Sequence, residues 1–425
     1  MNSRDLMDIS PGVILLEEAG EILESHVLVA MGPRTKQLIM IGDHKQLRPK
    51  INNYSLSVEK ESGYDLNRSL FERHVGSEYP HCTLAKQHRM VPEISCLVRN
   101  LTYTDLMDGD RTLNRPEVRG LQDRVIFIDH THPEDTFREV SDRYDAGTKG
   151  SKRNTFGPQL VLKIVRYIGQ QGYGTNKLVV LTPYLGQLHL LREELRKDSD
   201  PVLNDLDSYD LVRAGLISQA SAQHTKRPIR LSTIDNYHGE ESDVVIATLT
   251  RSNGDGEIGF MSAPQRLNVL LSRARDVLIM FGNSQTFKQS RKGQDIWIPL
   301  FDQLQANGLL YDGLPVRCEQ HPQRKAVLRE INYFEKLCPD GGRQQACGTK
   351  LNCGLHDCPQ KCHQLSDHSK MQCRKIIEWT CSRDHPLHDH AFSNKIYALA
   401  ATKKTKKPNG DGSEIWNSML RGRLN

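Results

Sequence analysis

Short apolar runs recur through the first 315 residues, separated by longer amphipathic stretches. Gly12-Val13-Ile14-Leu15-Leu16, Leu38-Ile39-Met40-Ile41-Gly42, Val125-Ile126-Phe127-Ile128, Leu178-Val179-Val180-Leu181, Val244-Val245-Ile246-Ala247 and Val277-Leu278-Ile279-Met280-Phe281 are unbroken rather than alternating. A strand with one wet face alternates apolar and polar positions, whereas a strand covered on both faces has no need of the polar ones. All six runs therefore read as buried strands. Between them the spacing lengthens to that of a helix with one apolar face, as from Gln159 to Ile168. Together these periods predict an α/β fold of parallel sheets with helices on both faces. Residues 1–118 and 119–315 form two such units.

Composition narrows the class. With 425 residues and 37% hydrophobic positions there is material for large cores. No apolar run reaches the roughly 18 residues of a membrane-spanning helix, and the first residues lack the apolar stretch of a secretory signal. The expected setting is intracellular and reducing, with no membrane partner. The net charge of +5 belongs entirely to the last stretch. From Lys395 onward there are seven basic and two acidic residues, so residues 1–394 are neutral, with 50 of each sign. The basic pI thus says little about the folded part. Residues 392–425, with the Lys403–Lys407 cluster, read as a solvated tail or a nuclear address.

Polar chemistry gathers where the apolar runs end, and in open parallel sheets ligands bind at the carboxyl ends of strands. The first run stops at Glu17-Glu18, and the second at Gly42-Asp43-His44-Lys45-Gln46-Leu47-Arg48-Pro49. Another ends at Thr182-Pro183-Tyr184, and Ser232-Thr233-Ile234-Asp235 leads into His238-Gly239-Glu240-Glu241. The amphipathic stretch Gln265 to Arg275 sets Arg266 and Arg273 beside an apolar stripe. Singly, each has a plain structural explanation, since carboxylates favour helix N-termini and helix arginines usually face water.

As an ordered set they resemble the superfamily 1B helicases, in the branch that includes the nonsense-mediated-decay helicase. Val13 to Gly20 is similar to motif II, Gly42 to Pro49 to motif III, and Gln87-His88-Arg89-Met90 to the Gln-aromatic-Arg-Met segment. Thr182 to Gln187, Ser232 to Asp243 and Arg266 to Arg275 are similar to motifs IV, V and VI. The resemblance implies RecA-like lobes, a partial first lobe in residues 1–118 and a complete second lobe in 119–315. It implies ATP with Mg²⁺ as cofactor, Glu17 on the metal, Glu18 orienting the attacking water and Gln46 sensing the γ-phosphate. Arg89 and Arg273 would meet the phosphates from opposite lobes, as the planar guanidinium suits. His88, Asp43, Gly239 and Glu241 fall on the nucleotide side, and Thr182, Pro183 and Thr233 on the nucleic-acid strand. Three positions depart from the pattern: Glu17 stands for Asp, His88 for Tyr and His238 for Gln.

No Gly-x-x-x-x-Gly-Lys-Ser/Thr loop occurs in the sequence, and only sixteen residues precede Glu17. The expectation is a C-terminal piece of a longer protein, or else a product that no longer hydrolyses ATP; the chain alone is expected to be inactive.

Eight of the ten cysteines lie between Cys318 and Cys381. In a reducing compartment such a cluster points to metal. Cys347, Cys353, His356, Cys358, Cys362, His363, His368 and Cys373 are candidate ligands of tetrahedral Zn²⁺. Cys318 and His321 with Cys338, and Cys381 with His385, are candidates for further sites; His388 and His390 are read as solvent-exposed. Spacing leaves the sharing open. The run Cys353 to His363 resembles the NF-X-type zinc finger, which defines residues 316–391 as a zinc-stabilised module.

The helicase motifs followed by these fingers resemble the zinc-finger helicases of RNA silencing and heterochromatin. That resemblance implies single-stranded RNA as partner, with DNA left open, and an RNA-dependent RNA polymerase complex among protein partners, in nucleus or cytoplasm. The alternative is a non-catalytic RNA- or protein-binding module. A third reading, a zinc-dependent transcription or ubiquitin-transfer factor, leaves six motifs unexplained.

Overall fold

The computed structural model describes residues 11–135, 152–197, 229–319, 321–339, 341–342, 346–359, 362, 368, 373, 376–380 and 386–390. For 54, 196–197, 376–380 and 386–390 it describes the backbone alone. The tail 392–425, His363, Cys381 and His385 lie outside the described residues, as do the side chains of His388 and His390.

In chain order the first part runs β1 (Val13–Leu16), α1 (Glu24–Ala30), β2 (Gln37–Met40), α2 (Leu70–Gly76), β3 (Lys86–Gln87), α3 (Pro92–Leu101), β4 (Met107–Asp108) and α4 (Asp110–Leu113). β1 and β2 pair in parallel, Val13 opposite Gln37 through Leu16 opposite Met40. β3 and β4 also pair in parallel.

A second part follows with β5 (Val125–Asp129), α5 (Phe156–Gln170), β6 (Leu178–Thr182), α6 (Leu185–Lys197), β7 (Arg230–Thr233), β8 (Ser242–Thr248), α7 (Pro264–Leu271), β9 (Ala274–Gly282), α8 (Ser284–Lys288), α9 (Gln294–Ala306) and β10 (Leu310–Tyr311). Its sheet has the order β10-β5-β9-β8-β6-β7, with every neighbouring pair parallel.

The unbroken runs behave as predicted here, because successive side chains serve two cores. Val125, Phe127, Val179, Leu181, Val245, Leu278 and Met280 pack with α3, α7 and α9 on one face. Ile126, Ile128, Val180, Ile246 and Ile279 pack with α5 on the other. Fully burying each such side chain contributes on the order of 1.5–3 kcal/mol, so this doubly covered sheet is the rigid base of the molecule.

Two expectations need correction. β1 and β2 are not buried on both faces: Ile14 is buried, but Val13, Leu15 and Ile39 are exposed, because nothing among the described residues packs over that side. The motif VI stretch is not one helix either. α7 stops at Leu271, and Ala274 already pairs with Ser242 as β9 begins, so Arg273 sits in the link between helix and strand.

The two parts are tied together by α3. Met90, Val91, Ile94, Leu97 and Val98 share a hydrophobic core with the six-stranded sheet, and Val91 N–H donates to Arg275 O at 2.9 Å. Beyond the sheet, β11 (Leu314–Arg317) and β12 (Lys325–Leu328) form an antiparallel hairpin, followed by α10 (Ile331–Leu337) and the antiparallel pair β13 (Ile376–Thr380) and β14 (Pro386–His390). Leu314, Val316, Leu328 and Phe334 bury into the α5 side of the core.

Candidate functional site

Two glycines bring the ends of β1 and β2 together. A Cβ on Gly20 would stand 2.6 Å from the Asp43 carbonyl oxygen, and one on Gly42 would stand 2.8 Å from the Ala19 and Gly20 nitrogens. Only bare backbone fits, so the turn after β1 lies directly against the turn after β2. Glu18 adopts a left-handed φ of 50° in that turn, and Ala19 N–H donates to Ile41 O at 2.9 Å. The exposed Glu17 and Glu18 therefore stand in a turn whose backbone lies against the turn that carries half-buried Asp43.

Asp43 is fully engaged. Its carboxylate accepts from Lys45 N–H at 2.9 Å, from Gln46 Nε2 at 2.9 Å and from the Tyr103 hydroxyl. Burial and the Asp43 charge push the Tyr103 hydroxyl far above its ordinary range, so it stays protonated and donates. The same hydroxyl accepts from Asn268 Nδ2 at 2.7 Å, and Asn268 Nδ2 also reaches Lys45 O at 2.8 Å.

Gln46 is the hinge of the site. One end of its amide holds Asp43, and the other end faces the second part of the chain. Its Oε1 accepts from Arg273 at 3.3 Å and lies 2.9 Å from His238 Nε2. His238 Nδ1 is in turn 3.0 Å from a Glu21 carboxylate oxygen, so the histidine that departs from the family pattern bridges both parts.

Arg273 is buried, and its other donors go to Val269 O at 2.9 Å, Glu240 O at 3.3 Å and Ser272 Oγ at 3.0 Å. Burial lowers its pKa to about 10; the neighbouring Arg89 acts in the same direction, while Glu18 opposes both. Arg89 donates to the Glu241 carboxylate and to Ser272 O at 3.0 Å. Gln87 shapes that arginine's turn by accepting from Arg89 N–H at 2.9 Å and Met90 N–H at 2.8 Å. His88 is exposed and rests on Gly109, where a side chain would collide with its ring.

Asp43, Gln46, Arg89, Glu241 and Arg273 thus meet at one junction, Glu18 lies near enough to act on Arg273, and Glu17 precedes it in the turn after β1. Gly239 is nearby in the chain with φ +79° and open space around it. Thr182 and Thr233 are at the ends of β6 and β7, where their side chains are buried: the Thr182 hydroxyl is 3.2 Å from that of Thr250, and Thr233 Oγ1 accepts from Asn236 N–H at 3.3 Å. Pro183 is half-buried. The residues sequence reasoning missed are Tyr103, Asn268 and Glu21. Asn268 stands inside the motif VI stretch and was within reach; Tyr103 had no local signal, since only folding brings it to Asp43.

A magnesium nucleotide suits these donors. Exposed carboxylates fit a hard cation, the amide and guanidinium groups fit phosphate oxygens, and buried Asn268 Oδ1 has no hydrogen-bond partner among the described residues. The backbone nest and lysine of a phosphate-binding loop are not in these 425 residues.

The cysteines and histidines fall into three groups whose ligand atoms lie within 4.8 Å of one another: Cys318, His321 and Cys362; Cys347, Cys358 and His368; Cys353, His356 and Cys373. A tetrahedral zinc with bonds of ~2.3 Å to sulfur and ~2.0 Å to nitrogen separates its S and N ligands by about 3.6 Å. The separations here are 3.7 and 3.5 Å around His321, 3.7 and 3.5 Å around His356, and 3.2 Å from Cys347 Sγ to His368 Nε2. For Cys353, burial raises the thiol pKa, but N–H groups of His356 and Leu355 and the His356 and Cys373 side chains outweigh it and bring the pKa to about 7, as a zinc ligand needs. The donor chemistry therefore fits zinc. Cys338 ends α10, in the apolar cluster with Tyr167 and Phe334, and like Cys318 lies close enough to act on the Tyr167 hydroxyl.

The family model described as AAA domain matches residues 66–285, just over half of the chain. The mouse NFX1-type zinc finger-containing protein 1 is 31% identical over 380 residues, covering 89% of this chain and 18% of the mouse protein. The fission yeast (Schizosaccharomyces pombe) helicase required for RNAi-mediated heterochromatin assembly 1 is 34% identical over 289 residues, 68% of this chain and 25% of that protein. Regulator of nonsense transcripts 1 of Dictyostelium discoideum is 28% identical over 319 residues, 73% of this chain and 21% of that protein. The chain thus spans a quarter or less of the length of these relatives. It belongs to the AAA domain family, on the superfamily 1 helicase branch that its six ordered motifs predict.

Proposed function

We propose that this chain provides the ATP-coupling and RNA-gripping part of an RNA helicase or RNP remodeller acting in RNA silencing, heterochromatin or RNA surveillance. The observation that carries the reading is Gln46, which touches Asp43 on one side and Arg273 and His238 on the other. A change at Asp43 is thereby felt by the six-stranded sheet.

In this reading Glu17 would hold magnesium and Glu18 would position and deprotonate the attacking water. Bound nucleotide would supply the phosphoanhydride whose cleavage drives the cycle. Arg273 is pre-aimed by three protein acceptors besides Gln46, so it loses little freedom on meeting phosphate. Arg89 would exchange Glu241 for phosphate, and that exchange couples occupancy to the fit of the two parts. Strand contact falls on the Pro183 side, near Thr182 and Thr233.

The name of the fission yeast relative, a helicase required for RNAi-mediated heterochromatin assembly, supports RNA and a nuclear setting. An RNA-dependent RNA polymerase complex is a candidate protein partner only through the resemblance of the motif and finger combination. Residues 1–315 carry 38 basic and 41 acidic groups, which suits a few placed contacts and not a broad basic surface. The test is binding of a labelled single-stranded RNA of about 20 nucleotides, long enough for several contact sites, to the purified chain. Matched DNA and duplex RNA serve as competitors. Preference for single-stranded RNA is expected. Equal affinity for DNA removes the RNA assignment, and no binding even at low salt overturns the reading.

A further inference from the structure

We propose that Cys318, His321 and Cys362 hold one Zn²⁺ that staples the cysteine-rich module to the six-stranded sheet, apart from the two interleaved sites inside the module. The proposal is independent of whether the chain binds RNA.

Sequence spacing gives no hint of this grouping, because Cys362 lies 41 positions beyond His321. It sits instead among the finger ligands Cys358 and His368, both of which belong to another group. In three dimensions Cys362 Sγ is 3.5 Å from His321 Nδ1, and Cys318 Sγ is 3.7 Å from the same nitrogen. Both are close to the about 3.6 Å edge of a tetrahedral zinc site. The same imidazole nitrogen thus faces a sulfur from the hairpin and a sulfur from the module.

The hairpin side is rigid. Cys318 and His321 stand in the turn between β11 and β12, and that turn is closed by Cys318 N–H donating to Arg324 O at 3.1 Å and Arg324 N–H donating to His321 O at 2.8 Å. The strands flanking it are anchored by Leu314, Val316 and Leu328, all fully buried in the sheet's core. A metal held here is therefore held by the six-stranded sheet.

The module side is delivered by a second, independent contact. At the end of α5, Gln171 Nε2 donates to Gly341 O at 2.7 Å and Gln170 Nε2 to Pro339 O at 3.2 Å. That grip sets Gly342 directly against Cys362. A Cβ at Gly342 would fall on the Cys362 carbonyl oxygen and Cβ, so only glycine lets the module approach. Cys362 has a left-handed φ of 45°, a conformation costly for a residue with a side chain and retained where the surroundings enforce it. Gln171, Gly342, Cys362 and His321 thus form a continuous path from α5 to the hairpin. Three of the four positions of a structural zinc site are filled among the described residues.

The remaining groups alternate along the chain. Cys347, Cys358 and His368 enclose Cys353 and His356, and Cys373 follows. Two interleaved sites tie the module to itself, and the third ties it to the sheet.

The test is zinc content of the purified full chain by mass spectrometry, with far-ultraviolet circular dichroism confirming that the sheet remains folded. Wild type is expected to carry three equivalents. Cys318→Ser and His321→Ala should each carry two, and Cys353→Ser should retain the staple zinc. Gly342→Val replaces no ligand, yet it should also lose one equivalent because Cys362 is pushed away. Cobalt substitution gives a second readout: the thiolate charge-transfer band should fall by about a third in Cys318→Ser, in proportion to one site of three. Unchanged zinc content in Cys318→Ser or in Gly342→Val overturns the proposal. Loss of all zinc from Cys318→Ser also overturns it, since the sites would then not be separate.

Discussion

Arg273 and Gln46, 227 positions apart in the chain, meet side chain to side chain, with an Arg273 nitrogen donating to Gln46 Oε1 at 3.3 Å. Arg273 also satisfies Val269 O, Glu240 O and Ser272 Oγ. A guanidinium can reach four acceptors in fixed directions, whereas an ammonium cannot. Arg273→Lys should therefore leave the half-buried Glu240 carbonyl without this donor, while Val269 O keeps the Ser272 hydroxyl at 3.1 Å. The cost should be about 1–3 kcal/mol, read as a lower urea midpoint with unchanged slope. A midpoint equal to wild type would mean that the four contacts contribute nothing to the fold.

Glu18 has a different expected outcome, because its carboxylate is exposed and makes no side-chain cap hydrogen bond in the turn it occupies. Glu18→Gln should leave thermal stability unchanged. The chain itself should hydrolyse no ATP above background, since the sequence supplies no phosphate-cradling loop. Phosphate release by the purified chain that Glu18→Gln abolishes would show that these residues suffice for turnover.

How much of this was legible beforehand divides along physical lines. The strands of the central sheet were legible because each is covered on both faces, and an unbroken run such as Val244 to Ala247 has few other uses. The same rule overreached at β1 and β2, where the runs are equally apolar but Val13 and Leu15 face solvent. Composition reports what a face could bury, not whether something covers it. Motif spacing identified Gln46 and Arg273 singly, but their contact belongs to tertiary structure. Tyr103 was invisible for the same reason: only folding brings it to Asp43. The zinc ligands were readable from residue type, while the grouping of Cys362 with His321 was not, since ligand sharing is decided by how the hairpin and module dock.

Glu134 and Arg251 form an ion pair that lies mostly out of solvent, with Arg251 Nε donating to Glu134 Oε2 at 2.8 Å. Ser252 N–H and Asn253 Nδ2 donate to the same oxygen at 3.0 and 3.2 Å. Burial raises the Glu134 pKa, but Arg251 and the Ser252 N–H outweigh it and hold the carboxyl below its usual range. Removing Arg251 leaves Glu134 with Lys152 Nζ at 3.9 Å as its remaining cation among the described residues, so Arg251→Met should destabilise by about 1–3 kcal/mol. Arg251→Met with Glu134→Leu should recover most of that loss. Chemical denaturation of the two single variants and the double variant checks this, and simple additivity would count against a coupled pair.

His130 supplies an acid-sensitive element. It stacks on Phe281 at 4.3 Å between ring centroids, with Phe156 at 5.7 Å, and its buried Nδ1 has no hydrogen-bond partner among the described residues. Burial lowers its pKa to about 4, with His132 acting in the same direction. The folded state therefore binds this proton less readily than the unfolded chain, whose histidine titrates near 6.5. Its contribution to stability is complete above about pH 6.5 and is lost as the pH falls toward 4, at up to about 1.4 kcal/mol per pH unit. His130→Phe keeps the stacked ring and removes the titration. Unfolding free energy measured between pH 4 and 7 should lose that slope in the variant, with little change at pH 7. An acid limb as steep in His130→Phe as in wild type would assign the acid sensitivity to other groups.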